Sequence, residues 1–139
     1  MFEDAGFKPD GKNIKSDGSF DNYKWVRPTK MQSTAPNWWG DKGIKPSGIR
    51  QGSLGDCWFL AAASSLAEQP ERIKRIAWND SYDAKGAFRF YFWVRNKWHG
   101  INVDDRLPAN GNYPLFAKKS LHNAWWFALL EKAYAKLDN

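Results

Sequence analysis

The sequence is poor in cysteine and in long apolar runs, and each scarcity excludes a class of protein. Its 139 residues include one cysteine, which excludes an intramolecular disulfide and favours a reducing, cytoplasmic (intracellular) setting. No stretch approaches the roughly 20 apolar residues that span a membrane. We therefore expect no membrane partner. The N-terminus, Met1-Phe2-Glu3-Asp4, lacks the basic and apolar segments of a secretory signal, so we expect no signal peptide.

The Lys and Arg residues form no run longer than two. The 21 Lys and Arg residues exceed the 15 Asp and Glu residues and give a net charge of +6. The basic residues are nevertheless scattered among the acidic ones, which is typical of an ordinary solvated surface. We therefore expect no nucleic-acid partner.

Aromatic residues are abundant. They make up 17% of the chain, with nine Trp and nine Phe, and together with a hydrophobic share of 42% they predict a globular domain with a ring-rich core. Residues 1–50 are rich in Gly, Pro, Asp, Lys and Ser and predict an extended N-terminal arm. Residues 51–139 carry the periodic patterns and predict the core that this arm leads into.

Two helices are predicted around Pro70. Asp56 is a suitable N-cap for a helix that begins at Cys57 and ends before Pro70. This segment is apolar on every face, which predicts a buried central helix. A short amphipathic helix after Pro70 places Ile73 and Ile76 on one side.

After these helices the apolar residues recur at every second position, which is typical of strands. Apolar residues at 88, 90, 92 and 94 alternate with more polar ones, and a turn near Asn96-Lys97 leads to a second strand from Trp98 to Val103. Leu115-Phe116 is a candidate third strand. A final helix from Leu121 to Leu137 has one apolar stripe, formed by Trp126, Leu129, Leu130, Ala133 and Leu137. The predicted fold class is α+β, with a small antiparallel sheet beside a buried helix.

The segment Gln51-Gly52-Ser53-Leu54-Gly55-Asp56-Cys57-Trp58 carries the chemistry. It places the only thiol in the first turn of a helix, where the partial positive charge of the helix N-terminus favours the thiolate. The amide of Gln51 can fold back to form an oxyanion hole with the backbone N–H of Cys57. The alternative is structural, since a lone cysteine is by default a small, buried hydrophobic residue. Trp58 is expected to pack beneath the active-site cleft, beside the thiol.

Several motifs resemble those of one protease family. Gly55, Cys57 and Trp58 match the signature around the papain-type nucleophile. The whole motif from Gln51 to Trp58, followed by Leu-Ala-Ala, closely resembles the nucleophile motif of calpains. The segments Val103–Pro108 and Ala128–Lys136 resemble later calpain motifs, and two weaker similarities lie in the arm, at Trp25–Thr29 and in the opening Phe2-Glu3-Asp4 with Phe7 and Pro9.

The resemblance implies a calpain-like intracellular cysteine endopeptidase with a papain-like fold that cleaves protein substrates through an acyl-enzyme. Residues 51–139 would be the first subdomain of the protease core, with Cys57 and Gln51 as its catalytic residues. In papain-like enzymes the histidine follows the cysteine by about 130–150 residues, so the catalytic His and Asn are expected beyond Asn139, in a second subdomain. The chain alone is then expected to be inactive. The alternative is a non-catalytic, calpain-like protein-interaction module.

The remaining polar candidates favour structural roles. His99 and His122 both lie on the cysteine side of the divided site, and a structural or surface role is favoured over that of a catalytic base. Neither has metal-ligand spacing with Cys57. Asp104-Asp105-Arg106 could supply paired acids, but a structural turn with an internal Asp–Arg pair is the favoured interpretation. The aromatic alternation at 88–93 could stack a sugar or a base, although core packing of the hairpin is favoured.

The resemblance also points to a calcium site that this sequence has lost. In calcium-dependent calpains the first subdomain binds one ion through two carbonyls, an Asp and a Glu. The carbonyl positions correspond to Asp41 and Gly43, whereas the acidic positions correspond to Gly48 and Ala124. Calcium requires six to eight oxygen ligands, and carboxylates supply the charge that offsets its dehydration. We therefore expect no metal and no cofactor in this domain.

Overall fold

The computed structural model of the chain describes residues 1–10, 23–49, 57–111, 113–114 and 123–138. It contains the strands β1 (Lys24–Val26), β2 (Ala87–Val94), β3 (Lys97–Asp104), β4 (Leu107–Asn110) and β5 (Tyr113–Pro114). The helices are α1 (Pro28–Met31), α2 (Cys57–Ala67), α3 (Pro70–Ile76) and α4 (Trp126–Asp138), with a short 3-10 helix at Pro46–Gly48. These elements confirm an α+β domain. Within the described ranges, no helix is long and apolar enough to cross a membrane.

The β2–β3 hairpin forms as the period-two pattern predicts. Trp93 lies opposite Trp98, and Arg95 and Asn96 make the turn with φ angles of 52° and 63°. Both are in the left-handed region of two-residue hairpin turns. Phe88 and Phe90 are buried, which confirms core packing on that face of the strand.

A second antiparallel sheet ties the N-terminal arm to the core. Its strand order is β1-β4-β5, with Lys24 opposite Ala109 and Val26 opposite Leu107. Phe7 is buried and packs edge-on against Trp25, with ring centroids 6.5 Å apart. The expected third strand at Leu115–Phe116 lies outside the described residues.

The most buried element is α4, which packs against both hairpin strands. Every residue from Trp126 to Ala133 is buried. The helix begins five residues later than the predicted start at Leu121, because Asn123 has a φ of 61° and the N–H groups of Trp125 and Trp126 donate to the Trp38 carbonyl (3.3 and 3.2 Å). These N–H groups pair with the arm and are therefore not used in the helical turn predicted from Leu121.

The expectation of a buried central helix at Cys57 is met along one face of the helix only, among the residues that the structure describes. Helix α2 buries Phe59, Ala63 and Ala67, which follow one another at four-residue spacing along a single face. Trp58 is 60% exposed, and the opposite face at 61, 62 and 65 is exposed as well. An apolar helix surface can be buried only where another element packs against it. The described residues pack against a single face of α2. The short helix α3 behaves as predicted, with Ile73 buried and Ile76 half-buried.

Candidate active site

Cys57 is the first residue of α2, as the sequence predicts. An 11-residue helix leaves unpaired N–H groups and a partial positive charge at its first turn, and this field favours a thiolate over a thiol. Gln51, Asp56 and the side chain of Cys57 lie outside the described part of the structure. The site is therefore defined by the backbone position of Cys57 and by the elements that hold α2.

An aromatic cluster joins the start of α2 to the centre of the fold. Phe59 stacks on Phe127 with ring centroids 5.9 Å apart and packs at 4.8 Å against Tyr134, both on α4. Trp58 meets Tyr134 edge-on at 5.3 Å. These contacts anchor the first turn of α2 on the most buried helix. Trp58 is 60% exposed, so the described residues do not supply the packing beneath a cleft that the sequence predicts.

The histidine that the structure describes is part of the hairpin. His99 lies on β3 opposite Phe92, is half-buried, and has its Nε2 3.2 Å from the Val94 carbonyl oxygen. This contact closes the hairpin end and gives His99 a structural partner. His122 lies outside the described residues.

Asp104 and Asp105 do not form an acid pair, because they enter two separate networks. The Asp104 carboxylate accepts hydrogen bonds from Arg106 Nε (2.9 Å) and Nη2 (2.6 Å), which confirms the predicted internal pair. Asp105 accepts from Arg27 and from the hydroxyl of Tyr82. Both carboxylates are completely buried, and neither is available for acid–base chemistry with a substrate.

Lys132 is the partner of Asp104 that sequence reasoning missed. Its Nζ donates to Asp104 Oδ1 at 2.6 Å and to the carbonyl oxygens of Asp104 and Arg106 at 2.9 and 2.7 Å. The available signal was a lysine on the apolar side of α4, three residues after the buried Leu129. The arm joins the same network, since the Asp4 N–H donates to Asp104 (2.8 Å) and Lys136 binds the Asp4 carboxylate (2.8 Å).

The pKa values in these networks follow from burial and charge together. Burial alone would raise the pKa of the Asp104 carboxyl, but the hydrogen bonds from Arg106 and the charge of Lys132 lower it to about 2. Burial lowers the pKa of Lys132 despite its contact with Asp104. The pKa of Tyr82 is raised well above its ordinary value by burial and by its hydrogen bond to Asp105. Near neutral pH the Asp104 carboxyl is therefore ionised and the Tyr82 hydroxyl is protonated, and both act as structure.

Ala124, one of the expected calcium positions, lies beside Asn37, which precedes the loop that holds the other positions. Asn37 forms an isolated β-bridge with Ala124, and its side-chain amide donates to the Asp41 carboxylate at 3.4 Å. Gly43 follows in the same loop with a φ of 75°, and Gly48 ends the 3-10 helix. Ala124 and Gly48 offer no carboxylate, so the residues present do not fit the ion. Among the described residues, no group of three or more His, Cys, Asp or Glu side chains could hold a metal.

Comparison with known proteins identifies the family of this chain. Residues 2–139 match the family described as calpain family cysteine protease, and the chain therefore belongs to that family. It is 38% identical to human calpain-14 over 99% of its length and 42% identical to mouse calpain-8 over 82%. It is also 41% identical over 82% of its length to the chicken calpain-2 catalytic subunit. The chain spans only 21%, 16% and 16% of these three relatives.

Proposed function

We propose that this chain is the cysteine-bearing half of the catalytic unit of an intracellular endopeptidase. The observation that carries the proposal is the position of the chain's single cysteine as the first residue of a helix in a calpain-family chain. Cys57 would act as the nucleophile, and Gln51 with the Cys57 N–H would stabilise the oxyanion. The papain-like fold that the family resemblance implies is part of this proposal.

The proposed reaction is acyl transfer. The Cys57 thiolate attacks the carbonyl carbon of a peptide bond, and the C–N bond breaks as the leaving amine takes a proton from a histidine. The resulting thioester is hydrolysed by water, which releases the acid and restores the thiol. The histidine and its asparagine partner would lie in a second subdomain of the same protein.

The uncovered face of α2 supports the second subdomain. Beside the nucleophile position, Trp58 exposes most of its ring, and small residues at 61, 62 and 65 leave the neighbouring helix surface flat. An exposed apolar helix face next to a proposed catalytic residue is suited to burial against another part of the protein. Protein substrates would then bind between the two subdomains.

A protease assay tests the proposal. The 139-residue chain alone is expected to give no hydrolysis of casein, because it lacks the general base. The full-length protein is expected to cleave casein and to lose at least about 1,000-fold of this activity in Cys57→Ala. Hydrolysis by the short chain that disappears in Cys57→Ala would refute the divided site. A full-length protein with an intact thiol and no activity on any protein substrate would favour the interaction module.

Calcium binding by this domain is expected to be weak. With Gly48 and Ala124 in place of acidic ligands, calorimetric titration should give no one-to-one isotherm with a dissociation constant below about 100 µM. The double variant Gly48→Asp/Ala124→Glu should bind calcium more tightly than the parent, since it restores two carboxylates. The isosteric control Gly48→Asn/Ala124→Gln should not. Tight binding by the parent chain would show that other oxygens complete the site.

A further inference from the structure

The β2–β3 hairpin has an outer face that the proposed protease activity does not use. In the register of the hairpin, Arg89, Tyr91 and Trp93 share one face with Trp98 and Gly100, while Phe88 and Phe90 point to the core. Trp78 extends this face, because its N–H donates to the Arg89 carbonyl and its ring meets Tyr91 edge-on at 6.4 Å. We call Trp78, Tyr91, Trp93 and Trp98 the aromatic strip.

The aromatic strip is unusually exposed. Trp78 is 68% exposed, and Trp93 and Trp98 are each 58% exposed. Large exposed apolar groups that lie side by side mark interaction surfaces, whereas single ones do not. Trp, Tyr and Arg are also the residue types that contribute most binding energy at protein interfaces. The composition of the strip therefore fits a docking surface better than a solvated one.

The strip is held in place before any partner arrives. Trp93 and Trp98 pack edge to face across the hairpin, with centroids 5.4 Å apart. Arg89 lies between the strands, where its Nε donates to the Tyr91 hydroxyl (3.1 Å) and its Nη1 donates to Asn102 (3.1 Å). A Cβ at Gly100 would lie 2.1 Å from an Arg89 nitrogen, so the glycine leaves room for the guanidinium. Fixed side chains lose little entropy on binding, which raises affinity.

The charges between Ala84 and Val103 are all positive, whereas Asp83 lies beside Trp78 and Arg89 at the other end of the strip. Between Ala84 and Val103 the sequence has four cations, Lys85, Arg89, Arg95 and Lys97, and no carboxylate. None of the four forms a salt bridge with any residue that the structure describes. This local excess accounts for much of the net charge of +6. A partner that complements it must be acidic.

The shape of the strip selects an extended partner. The aromatic rings follow the length of the hairpin from Trp78 to the tip, with Tyr91 and Trp93 about 7 Å apart along one strand. A membrane surface would favour aromatic residues gathered at the tip alone, whereas an extended polypeptide laid along the strip contacts all of them. A segment in the polyproline conformation suits such a surface, because it is already extended before binding and its proline rings pack on indole rings.

We propose that the aromatic strip and its surrounding cations bind an extended, acidic, proline-containing segment of a partner protein. The proposal does not depend on the protease activity, since the strip lies on the hairpin and its partner would bind without being cleaved. The probe is a fluorescein-labelled (Glu-Pro)6 peptide, and its binding to the 139-residue chain is followed by fluorescence anisotropy at low ionic strength. We expect saturable binding, at least about tenfold weaker binding of (Ser-Pro)6, and none of (Lys-Pro)6.

Two variants and one matched control localise the binding. The variant Trp93→Thr/Trp98→Thr removes two rings and places strand-forming threonines in the hairpin. The variant Arg95→Asn/Lys97→Gln removes two charges and places asparagine, which tolerates the left-handed conformation, at position 95. Each should weaken (Glu-Pro)6 binding by at least about fivefold. The control Lys24→Gln/Lys30→Gln removes the same charge from exposed positions elsewhere and should change it by less than about twofold. Far-UV circular dichroism and the melting temperature verify that each variant is folded.

Other results would overturn the proposal. An equal loss in the Lys24/Lys30 control would show diffuse attraction to any polyanion. Tighter binding of oligo-dT than of (Glu-Pro)6 would assign the strip to nucleic acid. Trp-dependent binding to phosphatidylserine vesicles that (Glu-Pro)6 does not compete away would assign it to a lipid surface. Absence of saturable peptide binding at millimolar concentration would leave the strip without the proposed partner.

Discussion

Replacing Gln51 by alanine is expected to lower kcat of the full-length protein by about 100- to 1,000-fold while changing KM little. The reason is that an oxyanion-hole donor acts on the charge that develops in the transition state, so its removal affects the chemical step more than substrate binding. Steady-state kinetics on a fluorogenic peptide measures both constants. The same substitution should leave the melting temperature of the 139-residue chain unchanged.

Gln51→Glu is the matched comparison for this prediction. It keeps the size of the side chain but replaces the amide donor by a carboxylate, which repels an oxyanion, so its kcat should be no higher than that of Gln51→Ala. A Gln51→Ala protein with kcat within about threefold of the parent would remove Gln51 from the proposed site. A change in KM alone would assign it to substrate binding.

Replacing Asp104 by alanine is expected to destabilise the 139-residue chain by about 3–5 kcal/mol. The carboxylate is completely buried and accepts hydrogen bonds from Arg106, Lys132 and the Asp4 N–H, so its loss leaves the nearly buried Lys132 ammonium without a counter-ion. Urea unfolding followed by tryptophan fluorescence gives the free energy of unfolding. Asp80→Ala, at an exposed position, is the control and should change it by less than about 0.5 kcal/mol.

The double variant Asp104→Leu/Lys132→Met distinguishes a lost ion pair from lost packing. Removing both partners eliminates the unpaired buried charge, so the double variant should be more stable than Asp104→Ala. A loss below about 1 kcal/mol in Asp104→Ala would contradict the role assigned to the network.

The same network sets the acid sensitivity of the fold. Despite burial, Arg106 and Lys132 lower the pKa of the Asp104 carboxyl from its ordinary value of 3.8 to about 2 in the folded chain. A depressed folded pKa means that the carboxylate stabilises the fold fully above the unfolded pKa, and that this stabilisation is lost as pH falls through the folded value. The stability difference between the parent and Asp104→Asn should therefore shrink between about pH 5 and pH 2. A constant difference over this range would contradict the shifted pKa.

Local patterns in the sequence predicted the elements of this protein that depend on neighbouring residues. The alternation from Phe88 to Val94 predicted a strand with one buried face, because side chains alternate across a strand whatever lies beyond it. The start of α2 at Cys57 followed from the Gly-Asp approach and the apolar run after it. The motif around Cys57 also predicted the calpain family, to which the chain belongs. The roles of Cys57 and Gln51 remain predictions.

Only the tertiary structure decided which helix is central and which charges are paired. Helices α2 and α4 both look apolar in sequence, but α4 packs against both hairpin strands and the arm, whereas α2 buries one face only. Asp104 forms hydrogen bonds with Lys132, which is 28 positions away in sequence, and with Asp4, which is 100 positions away. Burial and ion pairing depend on contacts between distant segments, and helical or strand periodicity records only which face of an element could make such contacts.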